Sequence, residues 1–342
     1  MSKQLSNETL IEIKHIKKYF PIKKGLLSRV VGQVKAVDDI SLEIKKGETF
    51  GLVGESGCGK STLGRVILRL QSATDGEVIY NGQNIHALGS SKLRDLRQDL
   101  QIIFQDPFGS LNPRFLVSDI IGEPLKVHTN MTPAQIDARV VELMELVGLD
   151  ASRRNRYPHE FSGGQRQRVG IARSIALSPK FIVADEAVSA LDVSVQSQVL
   201  NLLARLQKEL GLTFLFIAHG LNVVRHISDR VGVMYLGKMA EVGPTEELYN
   251  KPLHPYTAAL LSSIPRPNPA LKRERIILKG DVPSPANPPS GCRFHPRCPM
   301  AQDRCKAEEP LLAEVLPGRQ VACHFPLVED GALARLAAKT LG

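Results

Sequence analysis

The chain has 342 residues, 43% hydrophobic and 23% charged, with 44 Lys and Arg against 35 Asp and Glu for a net charge of +9. That is the balance of a globular protein with room for one large domain and an appendage, or for two ordinary domains. The cations are spread out, without the block of like charges that marks a nucleic-acid tail, and no stretch approaches the roughly 18 apolar residues of a membrane helix.

Residues 10–20 and 34–53 read as β-rich. VKAVDDISLEIKKGETFGLVG alternates, turns at Lys46-Gly47 and runs apolar into glycines. A helix follows, with Leu63, Val66, Ile67 and Leu70 at one-face spacing. TDGEVIYNGQNI predicts a strand, an Asn81-Gly82 turn and a second strand, and DLQIIFQD a short buried strand. Residues 107–178 read mostly as helix, including the apolar stripe of ARVVELMELVGL. KFIVADEA and LTFLFIAH are buried strands on either side of a long amphipathic helix, SVQSQVLNLLARLQKEL. Strands alternating with helices predict an α/β fold with a parallel sheet covered on both faces, into which the helical block is inserted. After residue 263 the proline density of IPRPNP and DVPSPANPPSG suits extended linkers. The expected domains are 9–263 and 264–342. The N-terminal MSKQLSNETLIEIKHIKK lacks the apolar core of a signal peptide, so the expected location is the cytosol.

Gly54, Glu55, Ser56, Gly57, Cys58, Gly59, Lys60 and Ser61 spell GESGCGKS, which fits G-x-x-x-x-G-K-[ST] in full, after an apolar strand and before a helix. From Gly54 to Thr62, inward backbone N–H groups and the helix N-terminus suit the phosphates of ATP. Lys60 should bridge the β- and γ-phosphates and Ser61 should ligate Mg²⁺. Cys58 reads as a small residue whose backbone matters. FIVADE then delivers Asp185 towards Mg²⁺, with Glu186 next to it, where a carboxylate can polarise the attacking water.

A second phosphate-binding pattern stands at FSGGQRQR, where Ser162, Gly163, Gly164 and Gln165 open a helix. A simple capped helix start would read the same way. With it the chain resembles the ATP-binding subunit of an ABC transporter over roughly residues 9–262. The order is phosphate loop, Gln105 loop, signature, acidic pair, Ser189-Ala190-Leu191-Asp192 and His219. The resemblance implies a P-loop NTPase (RecA-like) core with a β-rich N-terminal subdomain and an inserted helical subdomain. It implies that Ser162 to Gln165 meet a γ-phosphate held by the other subunit of a head-to-tail pair. Phe20 matches the aromatic that stacks on adenine, with Tyr19 the alternate. Gln105 matches the glutamine that senses Mg²⁺ and the attacking water, and His219 the switch histidine that reaches the γ-phosphate. Two positions depart from the pattern: Ala187 where Pro is common and Gly220 where Asp is common.

KPLHPYTAALLSSIP and NPPSGCRFHPRCP resemble the C-terminal extension of dipeptide and oligopeptide importer ATPases, over roughly 250–325. That implies ATP hydrolysis coupled to peptide uptake, with a second ATP-binding subunit (by family habit a paralogue), two membrane permease subunits and, indirectly, an extracytoplasmic binding protein. No nucleic acid is implied. The expected place is the cytoplasmic face of a bacterial inner membrane. Other readings are a soluble ABC ATPase of repair or translation, and a catalytically weak regulatory subunit. Cys292, Cys298, Cys305 and Cys323, spaced C-x5-C-x6-C-x17-C, can hold a [4Fe–4S] cluster or Zn²⁺, or remain thiols. The resemblance favours the cluster.

Overall fold

The computed structural model describes residues 8–25, 28–264 and 276–328. Most of IPRPNP and the end of the expected 264–342 domain lie outside the described residues. The rest falls into two compact units.

One unit is built on residues 79–218, with 43–49 and the described residues up to 11. Its sheet has three parallel strands, Leu100–Ile103, Phe181–Asp185 and Thr213–Ile217, with Phe181–Asp185 in the middle. Every residue of the last two is buried, so their sequences run apolar without alternation. Helices Val117–His128, Pro133–Leu146 and Gly163–Ile175 form the insertion, as the sequence predicts. The second starts on a reciprocal Thr132/Gln135 cap with Pro133 in its first turn, both strong helix-start devices. The amphipathic helix Val193–Leu210 buries Val199, Leu203 and Leu206. Its Gln207 donates to the Gly47 carbonyl at 2.5 Å, and Gly47 N–H donates to Thr213 Oγ1 at 2.9 Å, so the Lys46-Gly47 turn is tied from two sides.

The other unit comprises 12–42, 50–78 and the described residues from 219 onward. Strand Thr49–Val53 runs parallel to Arg230–Tyr235, with Val53 opposite Val233. Arg230–Tyr235 pairs antiparallel with Lys238–Pro244, with a bulge between Met239 and Glu241. Helix Lys60–Ile67 follows the phosphate loop. It is shorter than the sequence spacing predicts. Arg69 takes a left-handed backbone (φ +50°), which stops the helix and leaves Leu70 41% exposed, off the expected apolar face.

The C-terminal extension is more structured than a linker. Strands Ala313–Leu316 and Arg319–Val321 form a hairpin, and Arg319–Val321 adds to the sheet beside Lys238–Pro244. The strands lie after the proline run and, at four and three residues, are too short to show alternation. Below this edge Glu241 is fully buried, and its carboxylate accepts from Arg319 (2.8 Å), Leu253 N–H (3.0 Å) and His254 N–H (2.9 Å). A buried charge is tolerated only with such full pairing. Ala258 and Ala259 of helix Pro255–Ser262 pack with Ile276 and Leu327 of the extension in a small apolar core.

Candidate functional site

The phosphate loop is shaped by backbone first. Gly54 has φ +153° and Gly59 φ +108°. A Cβ on Gly54 would run into the Met234 carbonyl and one on Gly59 into the Ala36 carbonyl, so only glycine passes both points. Helix Lys60–Ile67 begins without a side-chain cap, and a helix N-terminus favours an anion. Lys60 is buried, and its Nζ donates to the carbonyls of Gly54 (2.8 Å) and Glu55 (3.1 Å), with Cys58 Sγ at 3.8 Å. The ammonium is thus folded onto the loop itself. Burial pushes the Cys58 thiol above its usual range, although Lys60 beside it works the other way. Ser61 and Thr62 are half-buried, Ser56 and Gly57 exposed.

Two residues that sequence reading did not single out also grip this loop. The Tyr256 hydroxyl accepts from Glu55 N–H at 3.0 Å, and Arg297 holds the Glu55 carboxylate through both of its terminal nitrogens, at 2.8 and 3.2 Å. Nothing in the spacing of the C-terminal segment announces a contact with a loop some 200 residues earlier.

Phe20 is half-buried, with the Lys18 ammonium 5.0 Å from its ring centre. Tyr19 gives its hydroxyl to Asp38, which Arg293 also holds. Burial, then the Asp38 hydrogen bond, raises the Tyr19 phenol. Of the two aromatics Tyr19 is the one anchored by a polar partner.

In the other unit Asp185 and Glu186 end a buried strand and are themselves buried. Glu186 is held in a left-handed backbone (φ +52°), a costly conformation for a residue with a side chain. Its N–H donates to the Ile217 carbonyl at 2.9 Å, and its own carbonyl accepts from the N–H and the hydroxyl of Ser189, each at 3.0 Å. Its carboxylate accepts from Gln105 Nε2 at 2.7 Å. Gln105 is exposed, so this amide meets the carboxylate at the surface of the unit. Glu186 was expected at the attacking water from its place after the strand and Gln105 from the family resemblance; their direct bond appears only in the fold. Ala187, in the place of the common Pro, is buried and leaves this geometry intact.

Ser162 caps the helix Gly163–Ile175 in a reciprocal box: Gln165 N–H donates to Ser162 Oγ at 3.4 Å and Ser162 N–H to Gln165 Oε1 at 3.0 Å. A Cβ on Gly164 would collide with Val195, whereas one on Gly163 would meet Leu191 at an ordinary 3.7 Å. The Ser189 to Asp192 loop that precedes Val195 is thereby packed next to the signature turn of the same chain. His219 and Gly220 are exposed. Gly220 begins helix Leu221–Ile227 with φ −81°, which any residue adopts, and supplies no side-chain cap.

Cys292, Cys298, Cys305 and Cys323 line one cavity of about 10 Å³ together with Phe294 and Met300, and none is in a disulfide. Burial, with the three neighbouring thiols adding to it, pushes the Cys323 thiol up to about 12. The donor set has the right kind of atom for a metal. The arrangement does not fit one: among the described residues no three or more His, Cys, Asp or Glu are grouped to hold an ion. The expected iron–sulfur cluster, and Zn²⁺ with it, finds no support here.

A glycine-bound phosphate loop, an acidic pair ending a parallel strand and a helix-opening SGGQ turn define an ATPase of the ATP-binding cassette class. The profile of the ABC transporter family matches residues 37–189, and that of the oligopeptide/dipeptide transporter C-terminal region matches 240–305. The oligopeptide transport ATP-binding protein AppF of Bacillus subtilis is 58% identical over 94% of this chain and 98% of its own length. The dipeptide transport ATP-binding protein DppF of Haemophilus influenzae is 50% identical over 93% and 97%. A solved dimeric ATP-binding cassette, MJ0796 bound to ADP and phosphate after hydrolysis, is 28% identical and covers 69% of this chain and 99% of its own, with a TM-score of 0.62. The chain belongs to the ABC transporter ATP-binding proteins of the oligopeptide/dipeptide type. Among the described residues no helix is long and apolar enough to cross a membrane.

Proposed function

We propose that the chain is the ATP-hydrolysing subunit of a bacterial importer of di- or oligopeptides. The observation that carries this reading is near full-length identity to AppF and DppF, running through the extension as well as the cassette. The chain works as one half of a head-to-tail pair, with a paralogue as the other half, docked on two membrane permease subunits at the cytoplasmic face of the inner membrane. A binding protein outside delivers the peptide. The expected boundaries, 9–263 and 264–342, serve as the working division of labour between motor and extension.

Phe20 stacks on adenine, the loop from Gly54 to Thr62 wraps the phosphates, and Lys60 turns from its own carbonyls to the β- and γ-phosphates. Ser61, Asp185 and Gln105 are the Mg²⁺ residues; when bound, the ion neutralises phosphate charge. Glu186 takes a proton from the attacking water while Gln105 fixes the carboxylate's direction, and His219 meets the γ-phosphate. Ser162, Gly163, Gly164 and Gln165 complete the neighbouring subunit's nucleotide. Phe108 and Phe115, exposed in the insertion next to Gln105, offer the apolar surface for a permease. The four C-terminal cysteines act here as free thiols, and no step passes through a cluster.

The assembled complex, isolated with its permease subunits, provides the test. Glu186→Gln should cut steady-state ATP turnover and labelled-peptide uptake by roughly a hundredfold or more while ATP still binds. Undiminished turnover would move the chemistry to the partner subunit and leave this chain the regulatory half. Quantified iron, acid-labile sulfide and zinc in the same preparation decide the state of the cysteines.

A further inference from the structure

Glu55 is the second residue of the phosphate loop, and all its polar groups are taken. Its carbonyl accepts from Lys60 (3.1 Å), its N–H donates to the Tyr256 hydroxyl (3.0 Å), and its carboxylate lies in the fork of Arg297 (2.8 and 3.2 Å). Two of the three partners come from the region after residue 250. The Arg297 side chain is only 9% exposed and that of Glu55 25%, so the pair is largely shielded from water and its charges are poorly screened. A planar guanidinium on a carboxylate fixes direction as well as distance.

The supports of this clamp are rigid. Tyr256 is fully buried in helix Pro255–Ser262. Its ring packs against Tyr235 (4.7 Å between centroids) and Phe294 (5.3 Å), and Phe294 packs in turn against His254 (5.7 Å). Arg297 closes a one-turn helix, His295–Arg297, bracketed by Cys292 and Cys298: His295 Nδ1 bonds the Cys292 carbonyl (2.9 Å) and Cys298 N–H donates to the His295 carbonyl (3.3 Å). The loop is also held from the sheet side, where Gly237 N–H donates to the Cys58 carbonyl at 2.9 Å.

We propose that Arg297 is a positioning residue for nucleotide binding: with Tyr256 it fixes the phosphate loop through Glu55, so that the C-terminal extension is a working part of the ATP site. Arg297 itself touches no phosphate. It holds the backbone between Gly54 and Gly59 in the shape from which Lys60 and the loop N–H groups engage the anion. The proposal rests on the reading that the GESGCGKS loop holds the phosphates of ATP.

The test is ATP affinity of the full-length chain, read by calorimetry, for Arg297→Gln, Arg297→Lys, Glu55→Gln and the double variant Arg297→Gln/Glu55→Gln. Arg304→Gln breaks an exposed ion pair with Glu308 in the same segment and serves as the control. Arg297→Gln and Glu55→Gln should each weaken ATP binding roughly tenfold, the loss expected when one charged partner goes. The double variant should be no weaker than either single one, because the two side chains act as a unit. Arg297→Lys should restore part of the affinity, and Arg304→Gln should leave it alone. In the assembled complex the loss should appear in KM, with kcat at saturating ATP within about twofold. A lowered melting temperature with wild-type affinity, or two single losses that add in the double variant, overturns the proposal. If Arg297→Gln does not fold, the near-isosteric Glu55→Gln carries the test alone. Lys60→Ala separates the two levels of the argument: ATP affinity that survives it sinks the phosphate-loop reading itself, whatever Arg297 does.

Discussion

The phosphate loop and the signature turn both bring glycines to the start of a helix, but they keep them for different reasons. In the phosphate loop the backbone decides. Gly54 and Gly59 take positive φ angles and pass beside fixed carbonyls of Met234 and Ala36. The helix behind them starts without a cap, and the nearest cation, Lys60, is folded onto the loop's own carbonyls. In the signature turn a side chain decides. Gly164 is small because Val195 lies against it, and the helix start is closed by the Ser162/Gln165 box. The first turn starts its helix without a side-chain cap. The second pairs two of its donors within itself, the Ser162 and Gln165 N–H groups. That difference fits the proposed division of labour, with ATP held by the chain itself at the first turn and met from a neighbouring subunit at the second.

Breaking the first side of the comparison has the largest effect. Gly59→Ala forces a left-handed alanine, at about 1–2 kcal/mol, and drives its methyl into a backbone carbonyl that cannot rotate away, at about 1–3 kcal/mol more. The expected result is a melting temperature lower by on the order of 10 °C, with ATP binding lost. A variant that melts and binds like the wild type would show that the loop relaxes freely and that its shape is not what glycine protects.

The two turns were equally legible in the sequence. GESGCGKS and FSGGQRQR are contiguous, so the residues that matter sit side by side in the chain. The strands around them were legible for the same local reason, since FIVAD and TFLFI are apolar at every position a doubly covered strand requires. What stayed hidden was held by distance. Glu186 meets Gln105 from 81 positions away, and Glu55 meets Arg297 from 242 away. Each is a single polar side chain whose own neighbourhood has no period or motif to betray a partner. The Arg319–Val321 strand was missed because three residues are too few to show alternation, and because its stability comes from a buried pair with Glu241 rather than from pattern.

A smaller effect separates packing from ligand approach within the signature turn. Gly164→Ala pushes a methyl into Val195, whose branched side chain has few other rotamers in a helix. It should destabilise the protein by roughly 1–3 kcal/mol. Gly163→Ala meets only an ordinary contact with Leu191, and alanine is the better helix former, so its stability should be unchanged or slightly higher. If the turn meets a nucleotide in trans, Gly163→Ala should still lower turnover in the assembled complex. Denaturant unfolding read beside complex turnover tells the two glycines apart. Equal loss of stability in both variants would mean that the turn is built by packing throughout.

The smallest effect concerns Ser162, where capping and catalysis compete for one hydroxyl only at first sight. A hydroxyl accepts through its lone pairs and donates its proton separately. Ser162 Oγ can therefore keep the Gln165 N–H and still offer its hydrogen to a phosphate oxygen. Ser162→Ala removes both functions and should cost about 1 kcal/mol of stability, the usual worth of a cap. Ser162→Asp keeps the cap acceptor but has no proton to give and brings a like charge towards phosphate, so its stability should stay within a few tenths of a kcal/mol of wild type. Both should lose turnover in the complex, and ATP binding by the isolated chain should survive in both. If Ser162→Asp turned over like the wild type, the hydroxyl would be a helix cap and nothing more, and the signature turn would owe its contact with the neighbour's nucleotide to its backbone alone.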